Sequence, residues 1–268
     1  MPSHHPDYRI RVPLGRTGLQ VARIGLSSSY GVGADALEEA YDRWGINYLY
    51  WGSLRREAFG EGIRRLARRK REDLVVVIQS YARHGRWLAW SLERALRRLG
   101  LDCADILLLG YHNRPPNRRL MEAALRLRSQ GRARFLAVSC HHRPAFRQFI
   151  SDGRFDVMMF RYSAAHRGAE KEILPLLAVP QRPGTVGYTA TRWGRLLNPG
   201  RMPPGELTPR ASDCYRFVLT RPEIDVCLAG PKDAAEMRED LAALDRGPMD
   251  EAELAWIRRV GDHIHGGR

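Results

Sequence analysis

Eight times along the 268-residue chain, a short apolar run gives way to an amphipathic helical pattern. The first pair is ARIGLSSSYG and ADALEEAYDRWG, the second INYLYWG and REAFGEGIRRLARR, the third DLVVVIQSY and RWLAWSLERALRRLG. ADILLLGYH, ARFLAVSCH, FDVMMFRYS, TVGYT and IDVCLAG open the rest, and DEAELAWIRRVGDHI adds a last helix. Near-continuous apolar runs of this length are typical of parallel strands buried on both faces. Eight of them, alternating with helices, close into an α/β (β/α)8 TIM barrel, whose usual length is about 250 residues. An open doubly wound sheet would need G-x-G-x-x-G after its first strand. The first strand here ends SSSYGVG, which does not fit.

Before the first unit, YRIRVPLGRTGLQ predicts an N-terminal β-hairpin turning at Gly15-Arg16-Thr17-Gly18. No linker or low-complexity tract interrupts the rhythm, so residues 1–268 read as a single barrel domain. The longest irregular stretch, Leu196 to Pro209, is expected at the strand C-terminal ends, where such barrels carry ligand-covering loops.

Composition sets a few bounds. Hydrophobic residues make up 44%, enough for a sizeable core, yet no run is long enough to span a membrane. The start, MPSHHPDYRIRVPLG, lacks an apolar signal core, so a cytoplasmic protein is expected. The net charge of +14 raises the question of nucleic acid. Only Lys70, Lys171 and Lys232 among the 44 cations are lysines, a skew that GC-rich coding would give. The arginines are scattered over helical faces, so neither nucleic acid nor membrane is expected as a partner. Cys103, Cys140, Cys214 and Cys227 form no C-x-x-C pair, so reduced thiols are expected and a metal site is not.

The order of pieces resembles the aldo-keto reductase superfamily over nearly the whole chain. LGRTGLQVARIGLSS is similar to that family's opening hairpin and first strand. GIN before the second strand, DLVVVIQS, RRLGLDCADILLL, GRARFLAVSCH and IDVCLAGPKDAAEMREDLAAL follow in the family's order. The resemblance implies NADP(H), bound extended across the strand ends, and carbonyl reduction by hydride transfer. It implies a tyrosine proton donor assisted by a lysine, an aspartate and a histidine. Position by position, that set does not carry over. Tyr50 stands at the aspartate position, Arg55 at the tyrosine, Ser80 at the lysine and Gly110 at the histidine.

The cofactor positions are mixed. Ser139 matches the serine that holds the nicotinamide amide, while Cys140 and Met159 replace its asparagine and glutamine companions. Tyr188 matches the aromatic residue stacked under the nicotinamide. Gly230-Pro231-Lys232 matches the loop whose cation holds the adenosine 2′-phosphate, and Glu236 and Asp240 occupy positions that face the adenosine. A glycine loop opening a helix is itself an anion site. Lys232 also reads as a solvated loop cation.

Proton donation then needs another acid. Tyr50, Tyr30 and His112 are the candidates, a phenol being a poor donor at its ordinary pKa near 10. His112 lies two residues past Gly110, on the same face if the strand continues that far, and otherwise is a rim histidine. Tyr50 and Trp51 also read as filling space left by Ser80 and Gly110. Arg55 is a candidate for holding an anionic substrate, and one of His141 and His142 for lining the pocket. Two functions follow for a small-molecule site. One is an NADP(H)-dependent oxidoreductase with an altered proton donor, acting on a carbonyl or imine. The other is a non-catalytic NADP(H)-binding sensor or partner-binding pseudoenzyme. The oligomeric state is not legible.

Overall fold

The computed structural model describes residues 7–52 and 55–266. The start of the segment read as untargeted, and Ser53 and Leu54 after the second barrel strand, lie outside the described residues. Strands β1 (Val12–Pro13) and β2 (Gln20–Val21) pair antiparallel around a 3-10 turn at Gly15–Thr17, forming the expected hairpin. The eight parallel strands follow as β3 (Ile24–Ser27), β4 (Tyr48–Trp51), β5 (Val75–Ser80), β6 (Ala104–Leu109), β7 (Ala133–Ser139), β8 (Val157–Arg161), β9 (Gly184–Tyr188) and β10 (Val226–Ala229). β10 pairs with β3 as well as β9, so the sheet closes into a barrel.

Helices α1 (Ala34–Trp44), α2 (Glu57–Lys70), α3 (Gly85–Leu99), α4 (Arg118–Ser129) and α5 (Ala145–Asp152) alternate with the strands as expected. α6 (Ala169–Glu172) is a single turn that passes into a 3-10 turn at Leu174–Leu177, shorter than the helix expected over AEKEILPLLA. Pro175 explains the break, since it lacks the N–H that the next helical turn requires. α7 (Ala211–Leu219), α8 (Ala234–Arg246) and the extra helix α9 (Glu251–Gly266) complete the chain.

Two sets of apolar side chains divide the strands. Tyr48, Tyr50, Val75, Val77, Ile106, Leu108, Val157, Met159, Val186, Val226 and Leu228 fill the barrel interior together with Leu14, Leu19 and Val21 of the hairpin. Their neighbours in sequence, such as Leu49, Trp51, Val76, Ile78 and Leu107, belong to the layer shared with the helices. The hairpin therefore plugs the N-terminal end, and the C-terminal end is left open for a site. Among the described residues no helix is long and apolar enough to cross a membrane, and no group of three metal-ligating side chains gathers.

Candidate active site

A cavity of about 1050 Å³ lies across the C-terminal ends of the strands. It brings together Tyr50, Ser139, Tyr188, Gly230, Lys232, Glu236 and Asp240 from four strand ends and the first half of α8. Leu197 and Pro209 of the long loop also line it, so that loop lies on the expected side.

At the centre, the Tyr50 hydroxyl donates to Gln79 Oε1. The phenol ring is seated over Gly52, where a Cβ would fall 1.9 Å from the ring. This is the local reason for the order Tyr-Trp-Gly: a side chain at 52 would evict the ring. Gln79, not Ser80, faces the cavity at the end of β5, because Val75 and Val77 set the inward parity. Ser80, the residue read at the lysine position, does not line the cavity. Gly110 makes room for that amide, since a Cβ there would lie 2.3 Å from Gln79 Nε2.

Trp51 does not fill this space. It points out of the barrel, fully buried against Gly60 of α2, and its indole N–H donates to the Arg56 carbonyl. Arg55 is likewise turned away, donating to the Gln79 carbonyl at 2.6 Å and lying over the Trp51 ring. Gly110→Ala is expected to change stability by less than about 1 kcal/mol, because it meets the end of the Gln79 side chain and the edge of the exposed Tyr81 ring, both of which can move. It should displace the Gln79 amide from Tyr50. Denaturant unfolding and a crystal structure of the variant check both halves.

His112 requires a correction as a proton donor. β6 stops at Leu109, and Tyr111 turns the chain with φ 57°, so the alternation that would aim His112 inward is broken. His112 is buried beside the cavity wall, its N–H donating to the Ser139 carbonyl at 2.8 Å and its Nε2 3.0 Å from Arg83 Nη1. Burial, with Arg83 adding to it, pushes its pKa down to about 4. Tyr111 and His141 reach the cavity instead, their rings 4.3 Å apart. His141 is also held near 4, by burial first and then by Arg161 and His166. Both imidazoles are thus neutral at pH 7. Tyr30 lines the cavity too, with its ring against Gly230.

Ser139 Oγ accepts from the Tyr111 N–H at 2.9 Å, which leaves its own proton to donate into the cavity. Met159 presents an apolar surface beside it, and the Cys140 thiol turns toward the His142 carbonyl at 3.2 Å. Burial pushes that thiol up to about 11 and the Tyr188 phenol up to about 12.

At the far end, Lys232 Nζ pairs with Glu236 Oε1 at 2.6 Å, and its backbone N–H donates to the other oxygen at 2.9 Å. The lysine side chain stays 64% exposed. Asp233 caps α8 by accepting from the Glu236 N–H. Asp240 is buried, and burial, with Glu236 and Glu239 adding to it, raises its pKa to about 8. The loop that offers an anion site thus already holds a carboxylate of its own.

No protein-family model matches the chain. Solved structures do. An aldo-keto reductase from Bacillus halodurans in its holo form matches with a TM-score of 0.79 at 17% identity, over 94% of this chain and 96% of that one. Its apo form gives 0.75 at 19%, over 94% and 95%. An aldo/keto reductase from Klebsiella pneumoniae in complex with NADP and acetate gives 0.74 at 20%, over 94% and 96%. The chain has the aldo-keto reductase fold.

Within the aldo-keto reductase fold, this chain sets a tyrosine–glutamine pair and a glycine at the centre of the barrel mouth. Sequence reading missed Gln79, Tyr111, Arg161 and Trp193, all of which line the cavity. For Arg161 a signal existed: it lies two residues past Met159 and so shares its face.

Proposed function

We propose that the chain is a divergent aldo-keto reductase that binds NADP(H) and acts as an oxidoreductase with an altered proton-donor site. The observation that carries this reading is the single cavity joining Tyr50, Ser139 and Tyr188 to the Gly230–Lys232 loop. Its volume lies at the upper end of ordinary small-molecule pockets. A bound nicotinamide dinucleotide supplies or accepts the hydride. The Tyr188 ring gives a flat wall for an aromatic ring, and Ser139 a hydroxyl donor beside it. Lys232, released from Glu236, offers an ammonium to a phosphate. Tyr50 is the donor nearest the reacting centre, and a half-turn of the Gln79 amide would present Nε2 to its oxygen and free the phenolic proton. Positioned acids of this kind contribute about 10²–10⁴-fold.

The second reading, a non-catalytic NADP(H)-binding protein, draws on the Tyr50–Gln79 bond, which occupies the phenolic proton. NADPH oxidation over a panel of aldehydes, ketones and imines separates the two. Turnover should fall at least tenfold in Tyr50→Phe and persist in His112→Ala. Binding without turnover of any panel member would favour the sensor. For the cofactor, Lys232→Ala should weaken NADPH by about tenfold and NADH by less than about twofold. Glu236→Gln should tighten NADPH by freeing the lysine. Equal loss of both nucleotides in Lys232→Ala refutes the phosphate role.

A further inference from the structure

Ionisable side chains of the cavity wall gather at two places: Lys232 with Glu236, Glu239 and Asp240 around the start of α8, and Arg161 at the end of β8. Arg161 closes β8 with its side chain on the cavity wall. Its guanidinium lies 4.9 Å over the Trp193 ring, close enough to the Tyr188 phenol for its charge to act on it. Among the described residues no carboxylate lies within ion-pair distance of it, although most of the described arginines that are as buried find one. Its Nε–H, like those of Arg23 and Arg258, is buried and meets no acceptor. A buried donor without an acceptor is uncommon in a folded chain and asks for an explanation.

The surroundings add no negative charge. His141 and His166 feel Arg161 as a like-signed neighbour, as does Arg192, which stacks on the same Trp193 ring at 5.1 Å. Trp193 reaches that place through a loop in which Thr189, Arg192 and Trp193 hold left-handed backbone at φ 63°, 54° and 53°. Non-glycine residues in that region persist only where packing holds them, and they cluster at functional sites. The remaining walls near Arg161 are the rings of Tyr111, His141 and Tyr188.

We propose that Arg161 is the anchor of a substrate subsite for a carboxylate, carried on a flat, unsaturated or aromatic small molecule. The proposal deepens the oxidoreductase reading and rests on it for the meaning of substrate. The planar guanidinium matches a carboxylate fork to fork, and Trp193, Tyr111 and His141 take a flat body between them.

The test titrates benzoate and its neutral isostere benzamide into the full-length protein without cofactor, read by tryptophan emission. Benzoate is expected to bind at least tenfold tighter than benzamide. Arg161→Met should erase that preference, Arg161→Lys should keep part of it, and NADPH affinity in Arg161→Met should stay within about twofold. Equal binding of benzoate and benzamide by the wild-type chain overturns the proposal, whether or not the variants fold. So does an Arg161→Met variant that keeps the preference, or one that loses NADPH as steeply as benzoate, since the guanidinium would then serve the nucleotide. A preference for benzoate with no response to NADPH keeps this subsite and removes the oxidoreductase reading.

Discussion

Gly15→Ala is expected to destabilise the chain by roughly 4 kcal/mol or more, the sum of a left-handed alanine and a severe backbone overlap. Gly15 has φ 46°, and a Cβ there would fall 2.2 Å from Gly184 N and 2.5 Å from the Pro183 carbonyl carbon. Neither is the end of a flexible side chain, so relief means lifting the hairpin off the start of β9. That in turn breaks the Arg16 N–H bond to the Arg182 carbonyl and uncovers Leu14, Leu19 and Val21 at the barrel floor. Gly18 is the internal control, with φ 75° and nothing within 4 Å of its Cβ. Gly18→Ala should lose only about 1 kcal/mol. Urea unfolding of both variants checks this, and equal small losses would show that the hairpin does not plug the barrel.

Asp240→Asn is expected to reshape stability against pH. Asp240 keeps its proton to about pH 8, against an ordinary value near 3.8. Between those values the folded chain binds a proton that the unfolded chain has released. The stability of the wild type therefore falls as pH rises from about 4 to about 8, and levels off above that. The asparagine variant lacks this term. The two proteins should be similar near pH 4, and the variant should be more stable by roughly 2–4 kcal/mol at pH 9. Parallel curves from pH 4 to 9 would mean that Asp240 is ionised throughout. The neutral carboxyl also matters for the cavity, since it offers a proton donor, not a third negative charge, where an adenosine is proposed to lie.

The barrel was legible because its strands are apolar on both faces, and the same property hid the centre of the site. In VVVIQS nothing distinguishes the inward set from the outward one, so Gln79 and Ser80 could be told apart only once β5 was paired with β4 and β6. Ser139, Tyr188 and Gly230–Lys232 could be placed at strand ends because they follow the chain's own strand–loop rhythm. Their place in one cavity needed closure of the sheet. His112 failed for a local reason: a left-handed tyrosine at 111 has no sequence signature, unlike a glycine. The Lys232–Glu236 pair was readable from its spacing of four on a helix start, yet its effect on a phosphate site was not.

The most direct measurement is a titration of the intact protein with NADPH, NADP and NADH, followed by tryptophan emission, with Trp193 on the cavity wall as reporter. Saturable quenching by NADPH below millimolar concentration, and weaker quenching by NADH, is the expected result. An unchanged emission spectrum up to millimolar NADPH would contradict it, and the cavity would then have to serve something other than a nicotinamide nucleotide.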